Sequence, residues 1–219
     1  MKLPTCHKCN SINFCSVGRK SKLENCPMRT SAEKLQEAEE MYQTDDQIKK
    51  ATRVASTVEA KGYIKWPRLK DTIEYAKERR YQRLGLAFCV GLLNEARKIA
   101  DILEKYDFEV CSVCCKTGSI KKTDVGVPEK YTMKSKTGYT IGWITCNPAG
   151  QALVLNKFGT DLNIIVGLCV GHDITFTELS DAPVTTLIAK DRSTVHNPAA
   201  VLFSHYGESF FTEDLREKK

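Results

Sequence analysis

Ten cysteines in 219 residues constrain this chain more than any other feature. No apolar run approaches the ~20 residues that a membrane-spanning helix needs. The opening Met-Lys-Leu-Pro-Thr-Cys has no apolar signal core. A cytoplasmic protein is therefore expected, with no membrane partner. The cytosol keeps thiols reduced, so cysteines there read as metal ligands or reactive thiols before disulfides. With 42% hydrophobic and 27% charged residues, the chain has the makings of a packed core, and wholesale disorder is excluded. The length is ~1.5 times the commonest domain size, enough for one ordinary domain and a smaller appendage.

Three stretches follow one another. Residues 1–29 are rich in Cys, Lys and Asn and lack periodicity, so order there must come from something other than a core. Residues 30–82 read as a helical extension. Thr30 to Glu33 and Thr44 to Gln47 fit capping boxes, Ile48, Ala51, Val54, Ala55 and Val58 form an apolar stripe, and Gly62 is a stop. Pro67 suits the first turn of a third helix that carries Leu69, Ile73 and Ala76 inward.

From residue 83 short apolar runs alternate with amphipathic stretches. Strands are expected at Arg83–Gly91, Phe108–Val113, Asn163–Val170 and Val184–Ala189, and helices at Asn94–Tyr106, Pro148–Phe158, Asp173–Leu179 and Pro198–Tyr206. Residues 116–143 are a polar excursion with one hairpin, read either as a lid hinged at Gly118, Gly126 and Gly138 or as a disordered loop. Strand–helix alternation implies a mostly parallel sheet with right-handed crossovers. The fold class is α/β: a three-layer domain at 83–219 with helices on both faces, preceded by the Cys-rich segment and the helical extension.

Cys6, Cys9, Cys15 and Cys26 form a C-x2-C-x5-C-x10-C cluster in the coreless segment. Four thiolates folding an irregular stretch suit a tetrahedral zinc or an iron–sulfur cluster. The spacing matches no zinc-finger signature, and Pro27 after Cys26 resembles the Cys-Pro that closes ferredoxin ligand sets. The alternative is four unliganded thiols, an oxidation liability.

The other six cysteines fall near predicted strand ends. Cys89 ends the first strand, Cys111, Cys114 and Cys115 lie at or just past the end of the second, and Cys169 ends the third. Cys146 precedes Asn147-Pro148 at a helix mouth, where the helix dipole lowers thiol pKa values. Ligands of open parallel sheets bind outside the carboxyl ends of the strands. Cys114, Cys115, Cys146 and Cys169 are therefore read as a shared cofactor-binding site. Cys89 and Cys111 are either members or small core hydrophobes. Lys116, His172, Asp173, Lys190, Asp191 and Arg192 are candidates for orienting an anionic substrate or moving protons. A capping His172 and an Asp191–Arg192 surface pair are the plain alternatives. His196-Asn-Pro-Ala nearly copies Cys146-Asn-Pro-Ala, so His196 is a further candidate ligand.

Several strings carry a resemblance: Phe88-Cys-Val-Gly-Leu, Cys111-Ser-Val-Cys-Cys-Lys116, Cys146-Asn-Pro, Gly167-Leu-Cys-Val-Gly-His-Asp173, Lys190-Asp-Arg192 and His196-Asn-Pro198. Together they resemble a family of uncharacterised prokaryotic proteins, domain of unknown function eighteen-forty-seven, often called metal-binding proteins. The resemblance extends over nearly the whole chain and includes the N-terminal cluster. It implies a cysteine-bound metal and a source among organisms that are often anaerobic. It brings no reaction with it.

Three functions are consistent with these residues. The first is an iron–sulfur protein, most simply 4Fe-4S, with a second centre at the sheet edge, a small anionic substrate and an electron-transfer partner. The second is a zinc-stabilised binding module that is not an enzyme. The third is a metal-free thiol enzyme for sulfur transfer or redox exchange. Residues 1–80 carry 17 Lys and Arg against 11 Asp and Glu, yet the scattered aromatics offer no stacking platform, so nucleic-acid binding is unsupported. Walker and Rossmann fingerprints are absent.

Overall fold

The computed structural model describes residues 2–10, 13–132, 142–204, 207 and 209–211. The chain falls into two compact units, 1–63 and 64–219. Among the described residues no helix is long and apolar enough to cross a membrane.

The first unit holds α1 (Asn13–Ser16), α2 (Pro27–Thr30), α3 (Ala32–Thr44) and α4 (Asp46–Gly62). Its coreless start is tied down by Asn25, whose Nδ2 donates to the Leu3 carbonyl and, at 3.0 Å, to Thr5 Oγ1. The expected capping boxes each move by one residue. Asp45, rather than Thr44, caps α4, accepting from Gln47 N at 2.8 Å and Ile48 N at 3.0 Å. Ser31 precedes α3 without a side-chain cap bond, because the Thr30 hydroxyl donates back to Cys26 O at 3.2 Å. Val54, Val58 and Gly62 make the buried stripe of α4 at the expected helical spacing.

The second unit starts with α5 (Arg68–Arg79) and continues β1 (Arg83–Phe88), α6 (Leu93–Glu104), β2 (Glu109–Cys114), α7 (Pro148–Lys157), β3 (Leu162–Val166), α8 (His172–Leu179) and β4 (Val184–Ile188). The four strands pair in the order β2-β1-β3-β4, all parallel. Successive side chains on a strand point to opposite faces, and the core divides accordingly. Leu84, Leu86, Phe88, Ile164 and Val166 pack with Ile73 and Ala76 of α5 and Ile99 and Leu103 of α6. Ala87, Cys89, Val113, Cys115 and Ile165 pack with Ala152 and Leu155 of α7 and Phe176 of α8. The result is the three-layer α/β fold that the alternation implied.

In the excursion that begins at residue 116, Lys121 bridges Ile144 in the antiparallel sense of the expected hairpin, with 3-10 turns at Thr123–Val125 and Glu129–Tyr131. Gly138, one of the proposed hinges, lies outside the described residues. The helix expected at Pro198–Tyr206 is, in its described part, a 3-10 turn at Ala200–Phe203. Its start is taken over by a turn that binds His196, described below.

Candidate functional site

In the order β2-β1-β3-β4 the chain leaves β1 for β2 on one side and returns to β3 on the other. A crevice opens beyond the carboxyl ends at such a reversal. The ladder runs one residue past each strand. Cys89 N donates to Val166 O at 3.0 Å, Cys115 N to Phe88 O at 2.9 Å, and Asn147 N to Cys115 O at 2.7 Å. These three bonds set Cys89, Cys115 and Cys146 side by side on the α7/α8 face.

The three sulfurs form a row with Cys115 in the middle. Cys115 is fully buried and accepts at its sulfur from Val90 N at 3.4 Å. Hydrogen bonding from Cys115 holds the Cys146 thiol at about 4, helped by His172 and Lys116 against the cost of burial. Cys89 is held at about 5 by its hydrogen bonding with Cys115, whose one S–H is shared between the two flanking sulfurs, with Lys190 adding to the effect. Cys115 is pushed up in turn by Cys146 first, then Cys89, then burial. The three titrations are coupled, the outer sulfurs lowered and the middle one raised.

Cations surround the row. Lys116 Nζ lies 3.6 Å from Cys146 Sγ and is anchored on Ile144 O at 2.6 Å. Lys190 Nζ and Cys89 Sγ both approach Gly91, where an added Cβ would meet them at 3.6 and 3.8 Å. Arg192 Nη2 lies 3.4 Å from Cys169 Sγ; that bond raises its pKa, and the charges of Cys89 and Cys146 add to the shift. His172, the first residue of α8, is raised by its hydrogen bond to Cys146 against partial burial.

The remaining candidates separate from this group. Cys111 is the third residue of β2, opposite Gly85, so the expectation that it lies at or past the strand end is corrected; burial raises its thiol. Cys114 pairs with Phe88 and packs against both core layers, one residue out of phase with Cys115. Asp191 folds back, Oδ1 accepting from Ser193 N at 3.0 Å and Thr194 N at 3.2 Å. His196 closes the same turn: its Nδ1 accepts from Asp191 N at 3.0 Å, and its φ is +66°. Asp173 Oδ1 accepts from Ile174 N at 2.9 Å.

Gln151 matters here in a way the sequence reading did not foresee. It is fully buried, and its Nε2 donates to Val113 O at 2.7 Å and Phe88 O at 3.3 Å. It thus pins the residues just before Cys89 and just before Cys114–Cys115. Its Oε1 has no hydrogen-bond partner among the described residues. The available signal was a lone amide on an apolar helix face beside Ala152 and Leu155.

In the first unit, Cys6, Cys9, Cys15 and Cys26 line one cavity of about 290 Å³ together with Leu23 and Met28. Cys9 N donates to Cys6 O at 3.0 Å, closing the C-x2-C pair into a 3-10 turn. Cys26 stands directly before α2, with Pro27 at its first position, and its thiol is lowered by the Ser21 hydroxyl. Among the described residues, no three His, Cys, Asp or Glu side chains are close enough together to hold a single metal ion. The donor sets on offer are the four thiols lining the N-terminal cavity and the three thiols of the edge row.

A family described as "Protein of unknown function (DUF1847)" matches residues 26–187. The chain belongs to this family. An uncharacterized protein of Methanocaldococcus jannaschii is 43% identical over 201 residues, 92% of this chain and 94% of the relative. The DUF1847 match contains the whole thiol row, Lys116, Gln151, Cys169 and His172. It starts at Cys26, so Cys6, Cys9 and Cys15 lie outside it, as do Lys190, Arg192 and His196. Of the N-terminal cluster the family match includes Cys26 alone.

Proposed function

We propose that the protein pairs an N-terminal cysteine-ligated inorganic centre, an iron–sulfur cluster, with a thiolate site at the sheet edge for redox or sulfur chemistry on a small anion. The observation that carries this reading is the Cys89–Cys115–Cys146 row with Lys116, Lys190 and Arg192 around it. A merely structural trio of thiols would be neutral small hydrophobes. Here ammonium and guanidinium groups approach the sulfurs, the surroundings in which thiolates form and react.

For the first centre, Cys6, Cys9, Cys15 and Cys26 would be the ligands. An iron–sulfur cluster supplies one-electron transfer when bound, with its potential set by charge and hydrogen bonds around the sulfurs. The reading of this centre as a cluster rests on the C-x2-C-x5-C-x10-C spacing, which matches no zinc-finger signature, and on Pro27 directly after Cys26.

At the edge this chain's own groups carry the chemistry. Cys146 is the partly exposed sulfur and the nucleophile. Cys115 holds the proton beside it, and His172 stabilises its charge. Lys116 fixes its direction, and Lys190 and Arg192 meet the negative charge of the substrate. Gln151 is a positioning residue acting through the strand ends.

The test is metal and acid-labile sulfide content, with a visible spectrum, on protein purified without oxygen. Iron and sulfide in near-equal amounts, lost in Cys9→Ser, support the first centre; zinc alone refutes it and leaves a zinc-stabilised module. Residue-resolved alkylation of Cys146 tests the edge independently.

A further inference from the structure

Building on that reading of the edge, we propose that the site takes a compact anion carrying a sulfane sulfur, of the thiosulfate type, and holds that sulfur as a persulfide on Cys146. Three observations narrow the substrate class to this. Cys115 is fully buried and Cys89 nearly so, so only Cys146 and Cys169 of the sulfurs near the cations are partly open, and the reacting molecule must be small. Lys116 stands 3.6 Å from Cys146 Sγ and Arg192 3.4 Å from Cys169 Sγ, with Lys190 beside Cys89, so the molecule is anionic. The carboxylates of Asp173 and Asp191, on the segments that carry His172 and Arg192, accept from backbone N–H groups, and neither is paired with Lys116, Lys190 or Arg192 among the ion pairs of the described residues.

A soft, weakly basic thiolate suits attack on sulfur rather than on a carbonyl or phosphoryl centre. The step balances within the pair. The Cys146 thiolate attacks the outer sulfur of thiosulfate and an S–S bond forms to Cys146 Sγ. The bond between the two thiosulfate sulfurs breaks, and its electron pair leaves with sulfite. Thiolate and dianion become perthiolate and dianion, so the charge facing Lys116, Lys190 and Arg192 is unchanged and no proton, oxidant or reductant is needed. Cyanide removes that sulfur as thiocyanate and regenerates the thiolate.

The experiment incubates the whole protein with thiosulfate, reads the mass of the Cys146 peptide, and then measures thiocyanate formed on adding cyanide. One added sulfur on Cys146 is expected, with thiocyanate formation lost in Cys146→Ser. Lys190→Met should raise the half-saturating thiosulfate concentration roughly tenfold or more, as expected for losing one charged contact. No sulfur uptake in protein whose Cys146 alkylates as a thiolate overturns the sulfane proposal and leaves the thiolate site standing. Slow alkylation of Cys146 at pH 6 overturns the thiolate site itself. Sulfur taken up equally by Cys146→Ser, on another cysteine, also overturns the proposal.

Discussion

The rate at which iodoacetamide alkylates Cys146 should hardly change between pH 5 and pH 9. The Cys146 thiol is lowered from an ordinary 9.0 to about 4, so it is ionised throughout that window. An ordinary thiol at pH 6 is ionised to only ~1 part in 1,000. Ionisation does not convert directly into speed, because nucleophilicity falls with basicity at ~0.4–0.5 logarithmic units per pKa unit. A drop of about five units therefore costs ~2–2.5 decades of intrinsic reactivity. The two effects compete. At pH 6 ionisation wins, and Cys146 should react ~3–10 times faster than an unperturbed cysteine. At pH 9 basicity wins, and Cys146 should be ~100 times slower, the curves crossing near pH ~6.5–7. The assay is peptide-resolved alkylation against a cysteine-containing reference peptide in the same tube. Cys115→Ala removes the first cause of the shift and should move the plateau to higher pH. A Cys146 rate that climbs tenfold per pH unit up to pH 8 would refute the hydrogen-bonded row as the source of its ionisation.

Three further outcomes follow from the packing. Gly85→Ala should cost more than ~2 kcal/mol in urea unfolding, because the new Cβ would sit 2.0 Å from Asn163 Oδ1, inside a buried network with Thr160 and Ser180. Gln151→Leu should destabilise by ~1–3 kcal/mol, since two carbonyls lose a buried donor, and should also slow Cys146 alkylation at pH 6; unchanged reactivity would show that the strand ends keep their places without the amide. The stability contribution of the trio should rise from pH 5 to about 9. There the unfolded chain binds three protons on these thiols and the native one keeps only that of Cys115. Above about 9 the sign reverses, because Cys115 alone stays protonated. His172, whose native pKa is raised, contributes stability below its unfolded value near 6.5 and loses it as pH rises through the native value, so Cys146→Ala should flatten both trends in urea titrations.

The sheet was legible because its strands are short apolar runs bounded by glycine, and the helices because their stripes repeat at 3.6 residues. The convergence of cysteines on the carboxyl edge was legible from the same pattern. Strand parity could have gone further. Leu84, Leu86 and Phe88 share a face, so Cys89 must take the other; Cys114 pairs with Phe88 in register and Cys115 falls beside Cys89. That alternation separates two adjacent cysteines that composition treats alike; Cys111 shares the face of Cys115 but sits mid-strand opposite Gly85, away from the edge.

What the sequence could not supply is the geometry of returns. Cys146 reaches Cys115 only after an excursion of about 30 residues, through the bond from Asn147 N to Cys115 O at 2.7 Å, and nothing local encodes where such a loop comes back. The paired strings Cys146-Asn-Pro and His196-Asn-Pro illustrate the limit. In the first, Asn147 Oδ1 accepts from Gly150 N at 2.8 Å and a ten-residue helix follows. In the second, His196 is engaged by Asp191 five residues earlier and sits at positive φ, so the same dipeptide is followed by a turn. A capping side chain decides between helix and turn only when no neighbour has already claimed the backbone. The upstream Asp191, which accepts from Ser193 N and Thr194 N, is the residue that makes the difference. The same contest sets the chemistry. The Asp191 carboxylate is spent on Ser193 N and Thr194 N and the His196 Nδ1 on Asp191 N, while Lys116 and Arg192 reach the sulfurs of Cys146 and Cys169; the proposed anion rests on that division.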